Sequence, residues 1–258
     1  MGRVEFAGIH EMKVAVYTCI TNGYDELMSP RVLTKDVDYL CFNDGSIYVP
    51  EPWLDIRVDF PYSGKDVNRY VKILSHTIPQ LALYDLTIYV DGAIEIVGDL
   101  TPLIKQVISA DGHTFLYEHP SRTCVYKEAR ACVESMKAPI ADTIRLIGQY
   151  RKEGVPENCG LFEGGVIVRK RNKESERLMD KWWETYLNGV KRDQLVLIYS
   201  SWKTSVAITS LGLPDHRSEK KYFRCNSGHS GDIFRRYFAW LIWRPVTSAL
   251  IDCRLIKL

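Results

Sequence analysis

What the chain lacks narrows its chemistry first. Its 34 Lys and Arg face 32 Asp and Glu, a formal net charge of +2 over 258 residues. The cationic excess that gives a nucleic-acid binder its affinity is therefore missing, and no nucleic-acid partner is expected. No run approaches the roughly 18 to 20 apolar residues of a membrane-spanning helix. The opening residues carry Arg3, Glu5, His10 and Glu11 and lack the apolar core of a secretory signal. None of the seven cysteines forms a CxxC pair, which leaves a zinc ribbon or thioredoxin-type site unsupported. An odd cysteine count without a signal segment suits a reducing compartment, so a cytoplasmic protein is expected. Neither GxGxxG nor a P-loop occurs, and neither GxSxG nor HExxH, so any nucleotide must be held by another arrangement.

Hydrophobic residues make up 46% and charged residues 26%, ordinary proportions for a folded chain. Residues 13–20 (KVAVYTCI) form a β-branched-rich run that reads as a buried strand, ended by Thr21, Asn22 and Gly23. Residues 37–42 read as a second strand and 56–60 as a short third. A helix is expected over 66–78, with Val67, Val71, Leu74 and Ile78 on its apolar stripe. Residues 86–90 are nearly all apolar, as a parallel strand covered on both faces must be, and the run stops at Asp91-Gly92. Helices are expected over 101–109, 124–136, 141–152, 172–187 and 193–205, and strands over 113–118 and 161–169. Strands alternating with helices argue for an α/β fold with an open, mostly parallel sheet flanked by helices. No Pro/Gly/Ser-rich linker divides the chain. One domain is expected over 1–217, followed by a basic and aromatic tail over 218–258.

In open α/β sheets ligands bind beyond the carboxyl ends of the strands. That rule singles out residues 21–25, Asp44, Asp91 and 119–122. Asp91 directly follows a buried strand, where a carboxylate can meet a metal or a diphosphate, although Asp-Gly is also an ordinary turn. If extended geometry continues, positions 91, 93 and 95 share a face. A hard cation bridging phosphates needs one or two acids there, and the sequence offers Asp91, Ala93 and Glu95. Arg69, Lys72 and His76 line one side of the expected helix, away from its apolar stripe: either a solvated face or two cations suited to a diphosphate. Asp193 opens a helix as a plain cap or as a site acid.

Taken in order, YTCITNGYDEL (17–27), VDYLCFND (37–44), NRYVKILSH (68–76), IYVDGAIEI (88–96), EHPSRTCVYKEA (118–129) and RDQL (192–195) resemble the glycosyltransferase-like family known as domain of unknown function six-one-six. The resemblance spans residues 13–205. It implies a GT-A-type, Rossmann-like fold and a hexosyltransferase using a nucleotide diphosphate sugar, most simply a UDP-sugar, with a saccharide or lipid-linked acceptor. On that resemblance Thr18, Tyr24 and Asp44 border the nucleoside, and Arg69 and Lys72 meet the diphosphate. Asp91 matches the first acid of a metal-binding Asp-x-Asp. Glu163, Gly164 and Gly165 are similar to the sugar-side strand of family-eight galactosyltransferases, and Asp193-Gln194 to their Asp-Gln pair. His229 stands where those enzymes carry a late metal ligand.

Ala93 replaces the second acid of the motif. The implied Mn²⁺ or Mg²⁺ site is then rebuilt, with Glu95 or His229, or it is absent, with Arg69, Lys72 and Arg122 stabilising the diphosphate; His119 lies in the same loop as Arg122. Glu163 or Asp193 would serve as base in an inverting reaction. In the tail, Arg235, Arg236 and Arg244 stand among Tyr237, Trp240, Leu241, Ile242 and Trp243. Such a segment suits either peripheral contact with an anionic membrane or a helix closing the core.

Overall fold

The β-branched run VAVYTCI forms β1 (Val14–Ile20), every residue of which is buried. Parallel neighbours cover it on both sides: β2 (Val37–Asn43) pairs Val14 with Val37, and β4 (Leu86–Val90) pairs Val14 with Leu86. Burying a Val, Ile or Leu side chain contributes about 1.5–3 kcal/mol, which is why these runs sit at the sheet centre. The short edge strand β3 (Leu54–Arg57) pairs with β2. This computed structural model describes residues 12–62, 64–226 and 238–253. With β6 at Thr114–Glu118, β7 at Phe162–Lys170 and β8 at Thr209–Ser210, it shows the expected α/β class: a mostly parallel seven-stranded sheet in the order β3-β2-β1-β4-β7-β6-β8, flanked by helices. One strand departs from the parallel expectation, since β7 (Phe162–Lys170) runs antiparallel to β4.

The chain forms two compact units. The first contains Met1–Phe115, Gly165–Glu176 and Asp215–Asn226. Besides β1 to β4 it holds α1 (Lys65–Ile73), β5 (Ile94–Ile96), α2 (Thr101–Ser109) and the far end of β7. It also holds β9 (Phe223–Cys225), which pairs antiparallel with β5. The 218–226 stretch, grouped by sequence with the tail, thus carries a strand of this unit; buried Phe223 and the Asp215 carboxylate, which accepts three backbone N–H groups, hold it there.

Helix α1 ends earlier than its apolar periodicity implies. It stops at Ile73 and gives way to a 3-10 turn over Ser75–Thr77, so His76 lies outside the helix that carries Arg69 and Lys72. The cause is Arg169, buried on β7. Its guanidinium donates to the carbonyls of Lys72 and Ile73, at 2.6 and 3.0 Å, and to the Ser75 hydroxyl at 3.0 Å. It also donates to the Tyr17 hydroxyl at 2.8 Å. A cation at a helix C-terminus satisfies carbonyls the helix itself cannot.

The second unit contains Leu116–Gly164, Arg177–Pro214 and Ser227–Leu258. Strand β6 (Thr114–Glu118) enters it and β8 (Thr209–Ser210) lies within it. Its helices are α3 (Val125–Glu134), α4 (Ile140–Glu153), most of α5 (Lys173–Asn188), α6 (Asp193–Thr204) and α7 (Arg244–Asp252). Gly154 ends α4 in the left-handed conformation, φ 81°, the role its sequence position indicates. Trp182 is core, and its indole N–H donates to the Asp193 carbonyl at 3.0 Å, joining α5 to the start of α6. No helix among the described residues is long and apolar enough to cross a membrane.

Candidate active site

In the first unit, the carboxyl ends of β1, β2 and β4 gather several polar groups. Asn22 and Gly23 both take positive φ, 58° each, and Tyr24 N–H donates to the Thr21 carbonyl at 3.3 Å. That is a tight turn of the primed kind, which favours Asn-Gly. The Asp44 carboxylate fastens this turn, accepting from Asn22 N–H at 2.8 Å and from the Ser46 N–H and hydroxyl. Partial burial pushes the Asp44 carboxyl up, but the Ser46 hydroxyl and these N–H groups outweigh it and hold the pKa below its ordinary value. Tyr24 is 67% exposed; Thr18 is buried within β1, and its hydroxyl has no hydrogen-bond partner among the described residues.

Asp91 leaves β4 on a turn closed by its own carbonyl, which accepts from Ile94 N–H at 2.8 Å. The extended path does not continue, so 91, 93 and 95 do not share a face. Gly92 is required in this turn: a Cβ there would lie 2.7 Å and 2.8 Å from Ile20 side-chain carbons. Glu95 is instead buried and held bidentately by Arg31, at 2.7 and 3.0 Å. It cannot rebuild a metal site beside Asp91.

The Asp91 carboxylate meets α1. Lys72 Nζ lies 3.6 Å from Asp91 Oδ1, with the lysine side chain 2% exposed and the aspartate 38%. Lys72 therefore does not lie on a solvated face, as its place away from the apolar stripe allows; the carboxylate and the Tyr89 ring, 5.3 Å from Nζ, receive its charge. The Tyr89 hydroxyl donates to Asp91 Oδ1 at 2.7 Å. Burial first, and Asp91 second, push the Tyr89 phenol well above its ordinary pKa, so it stays a donor. Asn68 donates to the Cys19 carbonyl and, at 3.4 Å, to the Tyr89 hydroxyl, while Arg69 donates to Asn68 Oδ1. A Cβ at Gly165 would stand 3.6 Å from Asp91 Oδ2, so glycine leaves that side of the carboxylate uncovered. Tyr89 and Asn68 were absent from the sequence candidates. Tyr89 carried a usable signal, two positions before Asp91 along the strand.

The second unit holds a separate charged cluster. His119 Nδ1 accepts from the Ser121 and Arg122 N–H groups at 3.2 and 3.1 Å. Arg122 Nε donates to Glu128 Oε2 at 2.5 Å, and its Nη2 lies 2.8 Å from His119 Nε2. Arg122 is thus bound within its own unit. Cys132 Sγ donates to Glu128 Oε1 at 3.3 Å, and burial, aided by Glu128, pushes the thiol up to about 12. Asp193 is buried in the first turn of α6 and accepts from Gln194 N–H at 3.0 Å; the Gln194 amide donates to the Phe162 carbonyl at 3.3 Å. Burial pulls the neighbouring Arg192 down, but Asp193, Cys132 and Glu128 together outweigh it and raise its pKa. Glu163 and Gly164 are half-buried at the start of β7. His229 lies outside the described residues.

The donor set tests the implied cation. No three His, Cys, Asp or Glu side chains come together as a metal site among the described residues. Asp91 offers one carboxylate whose Oδ1 already accepts a hydrogen bond and faces an ammonium, and Glu95 is engaged elsewhere. The described residues do not fit a protein-held divalent cation.

Residues 53–218 match a family model described as TOD1/MUCI70, glycosyltransferase-like domain. No curated protein matches the chain. Among solved structures, the apo form of the WbbM bifunctional glycosyltransferase is similar at 13% identity with a TM-score of 0.45, over 81% of this chain and 40% of that one.

Proposed function

The chain belongs to the TOD1/MUCI70 glycosyltransferase-like family, and on that premise we propose that it transfers a hexose from a nucleotide diphosphate sugar to a hydroxyl acceptor. A UDP-sugar is the proposed donor and a saccharide or lipid-linked saccharide the proposed acceptor. The observation that carries the reading is the Lys72–Asp91 pair, 3.6 Å apart at the carboxyl rim of β4 with Arg69 on the same helix. Negative charge grows on the departing diphosphate during sugar transfer, and preorganised cations lower that barrier. Arg69 is the proposed diphosphate contact. Lys72 supplies a fixed positive charge beneath the site and is oriented by Asp91. Tyr89 holds the Asp91 carboxylate by its hydroxyl. Asp193, supported by Gln194, is proposed to serve the transferred sugar, as the family-eight resemblance implies. Glu163 or Asp193 would take the acceptor proton if the anomeric centre inverts.

A second reading, a nucleotide-sugar binder without catalysis, is favoured by Ala93 and by the engagement of Glu95 with Arg31. The two separate in one experiment. Calorimetry with a panel of nucleotide sugars, with Mn²⁺ and with a chelator, is followed by donor-hydrolysis and transfer assays. Turnover that falls at least about a hundredfold in both Asp91→Ala and Asp193→Ala, with unchanged circular dichroism, supports transfer. Tight binding without turnover under any condition supports the binder, and wild-type rates in both variants refute the assignment.

A further inference from the structure

A helix on the surface of a protein ordinarily turns its apolar stripe toward the core. The C-terminal helical segment does the reverse. Phe238, Leu241, Ile242, Pro245, Val246 and Ala249 are all exposed. Leu241 and Ile242 lie in a π-helical turn, Ala239–Trp243, and the three that follow lie in α7, where the spacing i, i+1 and i+4 places Pro245, Val246 and Ala249 on one face. Leu241, Ile242 and Val246 are each about half exposed, at 50%, 49% and 50%.

The opposite face is fastened to α3 by polar groups. The Trp243 indole N–H donates to the Val133 carbonyl at 2.8 Å, and the Ser248 hydroxyl to Glu134 Oε1 at 2.7 Å. Arg130 reaches Asp252 at 2.9 Å and Ser248 at 3.2 Å. These bonds hold the segment in a fixed orientation with its apolar stripe outward. A contiguous apolar stripe kept outward in this way marks a contact surface.

Charge identifies the partner. Residues 235–258 contain Arg235, Arg236, Arg244, Arg254 and Lys257 against a single acid, Asp252, and Asp252 is already paired with Arg130. Arg244 lies 3.7 Å from Glu134 and keeps 62% of its side chain exposed beside the apolar stripe. The sequence of the same stretch also carries Tyr237 and Trp240, of the aromatic types that prefer a lipid headgroup boundary. A second copy of this chain would bring like charges together, whereas an anionic bilayer offers both apolar depth and opposite charge. We propose that this segment lies in the plane of an anionic membrane surface, with Phe238, Leu241, Ile242 and Val246 entering the headgroup–acyl boundary. The assignment does not depend on the sugar-transfer reading.

The test is flotation of the full chain with vesicles of phosphatidylcholine alone and of phosphatidylcholine mixed with phosphatidylglycerol, at low and high salt. Binding to the mixed vesicles that weakens with salt is expected. Leu241→Asp and Ile242→Asp should each lower the partition constant about tenfold or more, because each removes buried apolar area and adds a like charge to the lipid. Both sites are exposed, and an unchanged melting temperature confirms the fold of each variant. Val246→Asp provides a third such variant. Absence of wild-type binding, equal binding to neutral vesicles, or binding untouched by all three substitutions would overturn the proposal. So would a dimer in light scattering that these substitutions dissolve while vesicle binding is missing.

Discussion

Removing either partner of the Lys72–Asp91 pair should have unequal consequences for stability, because the two side chains differ in burial. At 3.6 Å, opposite unit charges attract by about 5 kcal/mol at an effective dielectric constant of about 20. Desolvation cancels much of that gross figure. In Asp91→Asn the lysine, 2% exposed, loses this carboxylate while staying out of water. The expected cost is about 1–3 kcal/mol, below the full penalty for breaking a buried pair because Asp91 itself is partly solvated. In Lys72→Met the buried charge disappears, the methionine fills much of the same volume, and Asp91 keeps both water and the Tyr89 hydroxyl. That variant should lose less than about 1 kcal/mol. Lys72→Met introduced into Asp91→Asn should then recover part of the lost stability. Thermal melts followed by circular dichroism read the series, at about 2–4 °C per kcal/mol for a chain of this size. The reasoning fails if Lys72→Met is the more damaging change, or if the double variant is no more stable than Asp91→Asn. Transfer activity should be lost in all three, so stability and catalysis report separately on the same pair.

Arg169→Leu should destabilise the first unit by about 3 kcal/mol or more, because four buried hydrogen bonds are lost at once, although the Lys72 carbonyl keeps a second donor, the Tyr17 hydroxyl at 3.2 Å. Arg169→Lys should restore little of it, since an ammonium cannot reproduce the planar fork; recovery to within about 1 kcal/mol in urea titrations would refute the capping role assigned to it. In the second unit, hydrogen bonds from Lys203, Gln149 and Tyr199 lower the Glu153 pKa to about 2. A depressed carboxyl pKa contributes stability above its unfolded value of about 4.3, and that contribution drains away as pH falls toward the folded value. The melting-temperature gap between wild type and Glu153→Gln should therefore be constant near neutrality and close between about pH 4 and pH 2. A gap that widens on acidification would reverse the sign and reject the assignment.

Strands β1, β2 and β4 and the stops at Gly23, Gly92 and Gly154 were legible in the sequence because each depends on a few adjacent residues. A β-branched apolar run buries itself wherever the sheet forms, and glycine serves where a turn needs positive φ or close approach. Asp91 was legible too, as an acid closing a buried strand. Its neighbours were not. Lys72 occupies a helical stripe with Arg69 that reads as solvated, and only the return of β4 beside α1 brings a carboxylate and a phenol ring to its ammonium. Glu95 stands in the sequence where it would complete an acid pair, but a turn at Asp91 directs it to Arg31, 64 residues away in the chain. The early end of α1 follows from Arg169, 96 residues beyond the Ile73 carbonyl it binds. Local propensity and hydrophobic period thus determined which segments become strands and helices. The partners of the buried charges were decided by tertiary structure, because an ion pair or a guanidinium cap exists only once distant segments are packed and water is excluded between them.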